Sequence, residues 1–228
     1  MKRATQLILA LDVATLARAE YFVRKLYPEI KLFKVGSQLF TSCGPVIIEL
    51  IRKIGAQVFL DLKFNDIPNT MAAAAKEAIK HKVAMFTVHT LSGPAALKEV
   101  AMVCQGSATK ALGVTILTSI CPHFLRDLKI QRTLAQEALY LAKMAKRNGL
   151  NGIVCSAQEA KLMRKELGRN FLIVTPGIRA KTQKKADQKR VVTAEDAVKA
   201  GSDFLVVGRP ILEAGDPLSV VKELRRSL

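Results

Sequence analysis

The chain has 228 residues, 50% of them hydrophobic and none tryptophan, with 36 Lys and Arg against 19 Asp and Glu for a formal net charge of +17. This apolar content excludes a disordered chain, and the length suits one large domain or two small ones with a sizeable core. No apolar run reaches the roughly 18 residues of a membrane-spanning helix, and the N-terminus enters a strand-like run with no h-region or small-residue cleavage site, so a cytoplasmic protein without a signal peptide or membrane partner is expected.

In chain order, strand-like apolar runs occupy residues 7–11, 32–35 and 58–62, then 85–88, 112–117 and 152–155, and finally 171–174 and 204–207. Helical patterns lie between them, for example at 134–147 and 194–200. Near-continuous apolar strands alternating with helices indicate a parallel sheet covered by helices. Eight such units in 228 residues, with no linker and no low-complexity stretch, point to the α/β class and to one (β/α)8, or TIM, barrel domain over residues 1–228. A doubly wound open sheet is the alternative, because periodicity alone does not close a barrel.

Barrel active sites lie at the C-terminal ends of the strands. Read in order, those ends carry Asp12, Lys34-Val35-Gly36, Asp61-x-Lys63-x-x-Asp66, His89, Thr118-Ser119, Pro176-Gly177-Ile178-Arg179 and Gly208-Arg209-Pro210. Side chains alternate along a strand. Asp61 and Lys63 therefore share one face, opposite Val58, Leu60, Leu62 and Phe64. If the Leu7, Leu9 and Leu11 face packs on helices, Asp12 points inward, and the same parity turns Lys34 inward opposite Phe33 and Val35. Burying these charges is expensive, although alternating signs compensate in part and keep each group ionised. A structural ion pair is the bland reading of Asp61 and Lys63. The convergence of Asp12, Lys34 and Asp66 on the same end favours a functional site.

The segment Asp61-Leu62-Lys63-Phe64-Asn65-Asp66-Ile67-Pro68-Asn69-Thr70 closely resembles the signature of the orotidine 5′-phosphate decarboxylases. Leu9-Ala10-Leu11-Asp12, Phe33-Lys34-Val35-Gly36, Leu117-Thr118-Ser119, Thr175-Pro176-Gly177-Ile178-Arg179 and Val207-Gly208-Arg209-Pro210 follow in that family's order and approximate spacing, so the resemblance covers essentially the whole chain. One departure is Asn65, where many bacterial members carry His.

The resemblance implies cofactor-free, metal-free decarboxylation of orotidine 5′-phosphate to uridine 5′-phosphate in pyrimidine synthesis. Lys63 would protonate the C6 carbanion, Asp61 would sit by the departing carboxylate, and Lys34 and Asp66 would orient Lys63. In the family the second aspartate of the motif reaches the neighbouring subunit's site, so Asp66 implies a homodimer, with Thr70 also contacting substrate across the interface. Asp12 and Lys34 would bind ribose hydroxyls, and Thr118 and Ser119 the pyrimidine edge. Pro176, Arg179 and Gln188 would join the binding residues. Gly208 and Arg209, at the last strand end before a helical start, suit phosphate. The fourteen residues of 179–192 are long for a βα loop, which suggests a phosphate-side lid.

Two other functions compete. A related barrel that decarboxylates or condenses sugar phosphates with Mg²⁺ also uses Asp-x-Lys-x-x-Asp, but places an acidic metal ligand where Lys34 stands. A basic nucleic-acid-binding protein is motivated only by the charge of +17. The basic residues are spread along the chain, as on solvated helix faces. Only Arg179, Lys181, Lys184, Lys185, Lys189 and Arg190 cluster, without the interleaved aromatics that strand stacking needs, so no nucleic-acid partner is expected. Cys43, Cys104, Cys121 and Cys155 form no Cys-x-x-Cys pair, which indicates reduced thiols, most of them small core fillers. His81 reads as a solvated helix position, His123 as a loop residue without a partner, and His89 as a candidate support for the site. Their spacing makes no metal site.

Overall fold

The structure, a computed structural model, describes residues 4–179 and 192–228, with Arg179 and Val192 described by backbone only. The chain opens with β1 (Gln6–Ala10), α1 (Leu16–Leu26), β2 (Leu32–Gly36), α2 (Ser37–Cys43), α3 (Val46–Lys53) and β3 (Gln57–Phe64). It continues through α4 (Pro68–Lys80), β4 (Met85–His89), a 3-10 turn (Thr90–Ser92), α5 (Gly93–Cys104), β5 (Lys110–Val114), α6 (Pro122–Asp127) and α7 (Leu134–Arg147). Then come β6 (Gly152–Val154), α8 (Ala157–Leu167), β7 (Leu172–Thr175), β8 (Ile178–Arg179), β9 (Val192–Thr193), α9 (Ala194–Lys199), β10 (Phe204–Val207), α10 (Arg209–Leu212) and α11 (Pro217–Arg225).

Eight of these strands close a parallel barrel in the order β1-β10-β7-β6-β5-β4-β3-β2. Closure is explicit at β1, where Gln6 pairs with Phe204 of β10 and Ala10 pairs with Lys34 of β2. The open-sheet alternative is thereby removed. Strands β8 and β9 form a separate parallel pair, Ile178 with Val192 and Arg179 with Thr193. They flank the segment expected to be a lid, whose residues 180–191 lie outside the described residues.

The strand parity expected from the sequence holds. Leu7, Leu9 and Leu11, with Phe33, Val35, Val58 and Leu60, belong to the outer layer packed by helices. Ile8, Ala10, Leu32, Phe59, Leu112 and Val206 fill the barrel interior. Phe59 is 1% exposed, and burial of a side chain of that size contributes roughly 2–3 kcal/mol. Helix starts follow local chemistry. The Thr133 and Gln136 side chains each bond the other's backbone N–H at the start of α7, and Ser156 and Glu159 do the same for α8. The helix expected at 134–147 is α7 itself, and that at 194–200 is α9, ending one residue earlier with Ala200 as its cap.

Two strand C-termini differ from the sequence reading by two residues or more, and those of the other barrel strands by one at most. Strand β5 ends at Val114 rather than at residue 117, because Ile116 and Leu117 leave the ladder to line a cavity. An apolar run does not distinguish these fates. Strand β3 extends to Phe64 because a bulge carries it past the expected end.

The four cysteines are free thiols. Cys104 and Cys155 are buried, and Cys43 and Cys121 are half-buried. His123 is not a lone loop residue, since it lies on α6 with Nδ1 3.1 Å from Cys121 Sγ. His81 caps the C-terminus of α4, half-buried rather than fully solvated. Among the described residues no helix is long and apolar enough to cross a membrane. Exposed Arg24, Lys80 and Lys199 lie on helices, each bonded to a carboxylate three or four residues earlier.

Candidate active site

Each of the first three strands changes character over two residues as it leaves the barrel. On the inner face Ala10 is followed by Asp12, Leu32 by Lys34 and Phe59 by Asp61. Apolar side chains thus form a floor beneath a ring of charges. Register places Lys34 beside Phe59, and Gly36 beside Asp61. A Cβ on Gly36 would stand 3.0 Å from Lys34 Nζ, so glycine there leaves the ammonium room without a shift.

The charges alternate in sign along one array. Lys34 Nζ lies 3.2 Å from Asp12 Oδ1 and 3.4 Å from Asp61 Oδ2, and Lys63 Nζ lies 3.0 Å from that same Asp61 oxygen. Exposure rises outward from the centre, with Lys34 at 12% and Asp61 at 13%, then Lys63 at 37% and Asp12 at 56%. Burial pushes the Asp61 carboxyl up. The Lys34 and Lys63 ammoniums, with hydrogen bonds from Lys63 and Thr87, outweigh it and hold the group below its ordinary 3.8. Asp61 is therefore ionised at neutral pH.

Lys63 reaches this position through a distortion of β3. Leu60 pairs with Phe86 and Phe64 with Val88, so Asp61, Leu62 and Lys63 together oppose Thr87 alone. Lys63 has φ 53, in the left-handed region. A non-glycine residue there costs about 1–3 kcal/mol and persists where its surroundings enforce it. Thr87, 0% exposed, accepts the Lys63 backbone N–H at 2.9 Å and donates to Asp61 Oδ1 at 3.0 Å. His89, two residues on, is half-buried and accepts the Leu91 N–H at Nδ1. Burial first, and the Lys63 charge second, lower its pKa and keep the ring neutral.

A cavity of ≈ 720 Å³ opens over the array. Asp12, Lys34, Asp61 and Lys63 line it together with Thr118, Pro176, Gly208 and Arg209. Ser119 is exposed and does not line it, and neither do Asp66 and Thr70, which sit on the rim. Asp66 Oδ1 accepts the Ile67 N–H at 2.6 Å, and Thr70 is in the first turn of α4. The array within one chain is thus Asp12-Lys34-Asp61-Lys63, and Asp66 is not part of it. Gln188 and the Arg179 side chain lie outside the described residues.

The sequence reading missed Thr87, Cys155 and Glu213. Thr87 could have been found as a polar residue on the inner face of a buried strand. Cys155 and Glu213 line the cavity but carry no local signal. Burial raises the Cys155 thiol well above its ordinary range, so it is inert at neutral pH. Among the described residues no group of three His, Cys, Asp or Glu side chains could hold a metal ion.

The family model for "Orotidine 5'-phosphate decarboxylase / HUMPS family" matches residues 5–224. The orotidine 5′-phosphate decarboxylase of Syntrophotalea carbinolica is 46% identical over 226 residues, covering 96% of this chain and 93% of the relative. That of Coxiella burnetii is 42% identical over 227 residues, covering 98% and 96%. Among solved structures, the crystal structure of the Lactobacillus acidophilus orotidine 5′-phosphate decarboxylase superposes with a TM-score of 0.87 at 35% identity, covering 98% of this chain and 99% of the other. The Methanocaldococcus jannaschii enzyme, solved in complex with the inhibitor BMP, gives 0.79 at 26% identity, covering 98% of both chains. With this match along its length, the chain belongs to the orotidine 5′-phosphate decarboxylase / HUMPS family.

Proposed function

We propose that the protein converts orotidine 5′-phosphate to uridine 5′-phosphate and CO₂ without a cofactor, with Lys63 delivering the proton to C6. The observation that carries this reading is the Asp12-Lys34-Asp61-Lys63 array at the cavity mouth. Loss of CO₂ from C6 leaves a carbanion with little resonance relief. Lys63 is the array's more exposed ammonium, at 37%, and so is placed to meet substrate, stabilise that charge and protonate the carbon. Asp61, held ionised, would lie near the departing carboxylate. Two anions in proximity disfavour the ground state, a framing that is contested. Asp12 and Lys34 suit ribose hydroxyls, and Thr118 the pyrimidine edge. Gly208 and Arg209, at the end of β10, stand where barrels bind phosphate. Ser119, exposed beside Thr118, is a weaker candidate for the pyrimidine.

The position of Asp66 supports a homodimer. It lies on the rim, outside its own chain's cavity, beside Ile67 at 66% exposure, and the Ser92 hydroxyl donating to Asn65 Oδ1 joins its segment to the turn after β4, where Leu91 is 57% exposed. Two exposed aliphatic side chains on segments that flank a carboxylate outside the cavity suit a face that a second copy covers. Asp66 and Thr70 would then complete the partner's site.

The sugar-phosphate reading needs Mg²⁺ at the array. Lys34 opposes it, because its ammonium already stands between the two carboxylates that would attract a cation. The test is loss of orotidine 5′-phosphate absorbance on mixing with purified protein, with and without EDTA. Turnover that EDTA leaves unchanged supports the proposal, and turnover that requires added Mg²⁺ refutes its cofactor-free part.

A further inference from the structure

Thr87 is buried beneath the array and is not among the residues lining the cavity. Other buried threonines of this barrel serve backbone, except Thr175, which bonds the Ser202 hydroxyl. Thr90 donates to Val114 O and Thr109 to Val83 O. The Thr87 hydroxyl instead joins two parts of the site, donating to the Asp61 carboxylate and accepting the Lys63 N–H. The second bond answers a local deficit. Three residues of β3 face one residue of β4, so the Lys63 amide has lost its ladder acceptor. A side chain in this place must accept and donate at once, which a single hydroxyl does.

We propose that Thr87 is a positioning residue for the decarboxylation: its hydroxyl locks the β3 bulge and thereby holds the Lys63 ammonium and the Asp61 carboxylate on the same side of the cavity. It acts through those two groups and does not touch substrate. The inference rests on the reading of Lys63 as proton donor. A misplacement of about 1 Å at a reacting group can cost on the order of 10²-fold in rate, so loss of the hydroxyl should appear in kcat.

The experiment compares Thr87→Val, which keeps the shape without the hydroxyl, with Thr87→Ser, which keeps the hydroxyl. Thr87→Val should lower kcat by about 10- to 100-fold with KM within about threefold, and Thr87→Ser should stay within about threefold of wild type in both. A carboxyl-carbon NMR titration of Asp61 in the free protein supplies a readout independent of turnover. Removing a donor to the ionised form should move Asp61 upward in Thr87→Val and not in Thr87→Ser. The other groups around Asp61 stay unchanged in both variants: Asp12 after β1, Lys34 on β2, Lys63 on β3, His89 on β4 and Arg209 after β10. Equal kcat for the two variants, whether both high or both low, overturns the proposal. Should Thr87→Val fail to fold, Thr87→Ala carries the same comparison. If wild type does not turn over orotidine 5′-phosphate, the proposed reaction is wrong. The titration then decides about the bulge alone, and an unmoved Asp61 in the hydroxyl-free variant sinks the positioning role.

Discussion

Replacing Asp61 with Asn tests whether the array stabilises the fold as well as serving the site. Asn keeps the shape and can still bond Thr87, but the charge is lost. Lys34 and Lys63 both lie within 3.4 Å of one Asp61 oxygen. Without the carboxylate they face each other as like charges, and two unit charges about 6 Å apart repel by roughly 3 kcal/mol at an effective dielectric of about 20. Lys34 retains Asp12, and Lys63, at 37% exposure, can turn to solvent. The net cost should therefore fall below the 3–5 kcal/mol typical of a broken buried pair, at about 2–3 kcal/mol. For a chain of this size that is a Tm drop of roughly 5–10 °C. The pH dependence follows from the lowered Asp61 pKa. A carboxyl whose folded pKa lies below its unfolded value contributes stability above the unfolded value of 3.8, and that contribution fades as pH falls through the folded value. Urea unfolding should thus show the full gap between wild type and Asp61→Asn at pH 7, shrinking once pH drops below about 4. An Asn variant as stable as wild type at pH 7 would refute the argument, because desolvation of the array would then cancel its pairing.

On the proposed mechanism, Lys63→Ala should lose about 10²- to 10⁴-fold or more in kcat while retaining its far-UV circular dichroism, and near wild-type turnover would remove Lys63 as the proton donor. Arg209→Ala should raise KM for the nucleotide by about 10- to 100-fold, the worth of one charge-assisted contact, yet leave a nucleoside substrate unaffected; equal losses for both would place Arg209 away from the phosphate. Mixing Lys63→Ala with Asp66→Ala under subunit exchange should restore activity, because both lesions fall in one composite site of the heterodimer and leave the other intact. No recovery after exchange is confirmed would mean that Asp66 serves its own chain.

The barrel was legible because parallel strands buried on both faces leave long apolar runs, and eight of them recur at helix-length intervals. The inward turn of Asp12, Lys34 and Asp61 was legible from alternation, since the opposite-parity leucines and phenylalanines pack the helices. What alternation could not give is the bulge. It presumes an even ladder, whereas Lys63 comes round to Asp61 through a left-handed residue and three-against-one pairing. The Lys63 amide in that distortion is met by a hydroxyl 24 residues away in sequence, at Thr87. The end of β5 escaped for the opposite reason, as Ile116 and Leu117 are as apolar as strand residues but serve the cavity wall.

The placement of the charges also explains how such a site is compatible with a stable barrel. Two carboxylates and two ammoniums leave the four-residue array without net charge, and Asp61 at its centre bonds both lysines and Thr87. Desolvation is offset within the array, and the apolar floor of Ala10 and Phe59 is left to packing. That balance holds only in the empty site. On the proposed reaction, an anionic substrate entering beside Asp61 would add a negative charge where Lys34 and Lys63 are already paired with that carboxylate. Binding must then draw on contacts remote from the reacting carbon, of which Arg209 at the far strand end is the candidate present. On the proposed mechanism, loss of CO₂ would leave the remaining charge on a carbon that the Lys63 ammonium could protonate. If that proposal holds, an array neutral at rest and unbalanced by substrate would put its electrostatic stress on the complex and relieve it along the reaction.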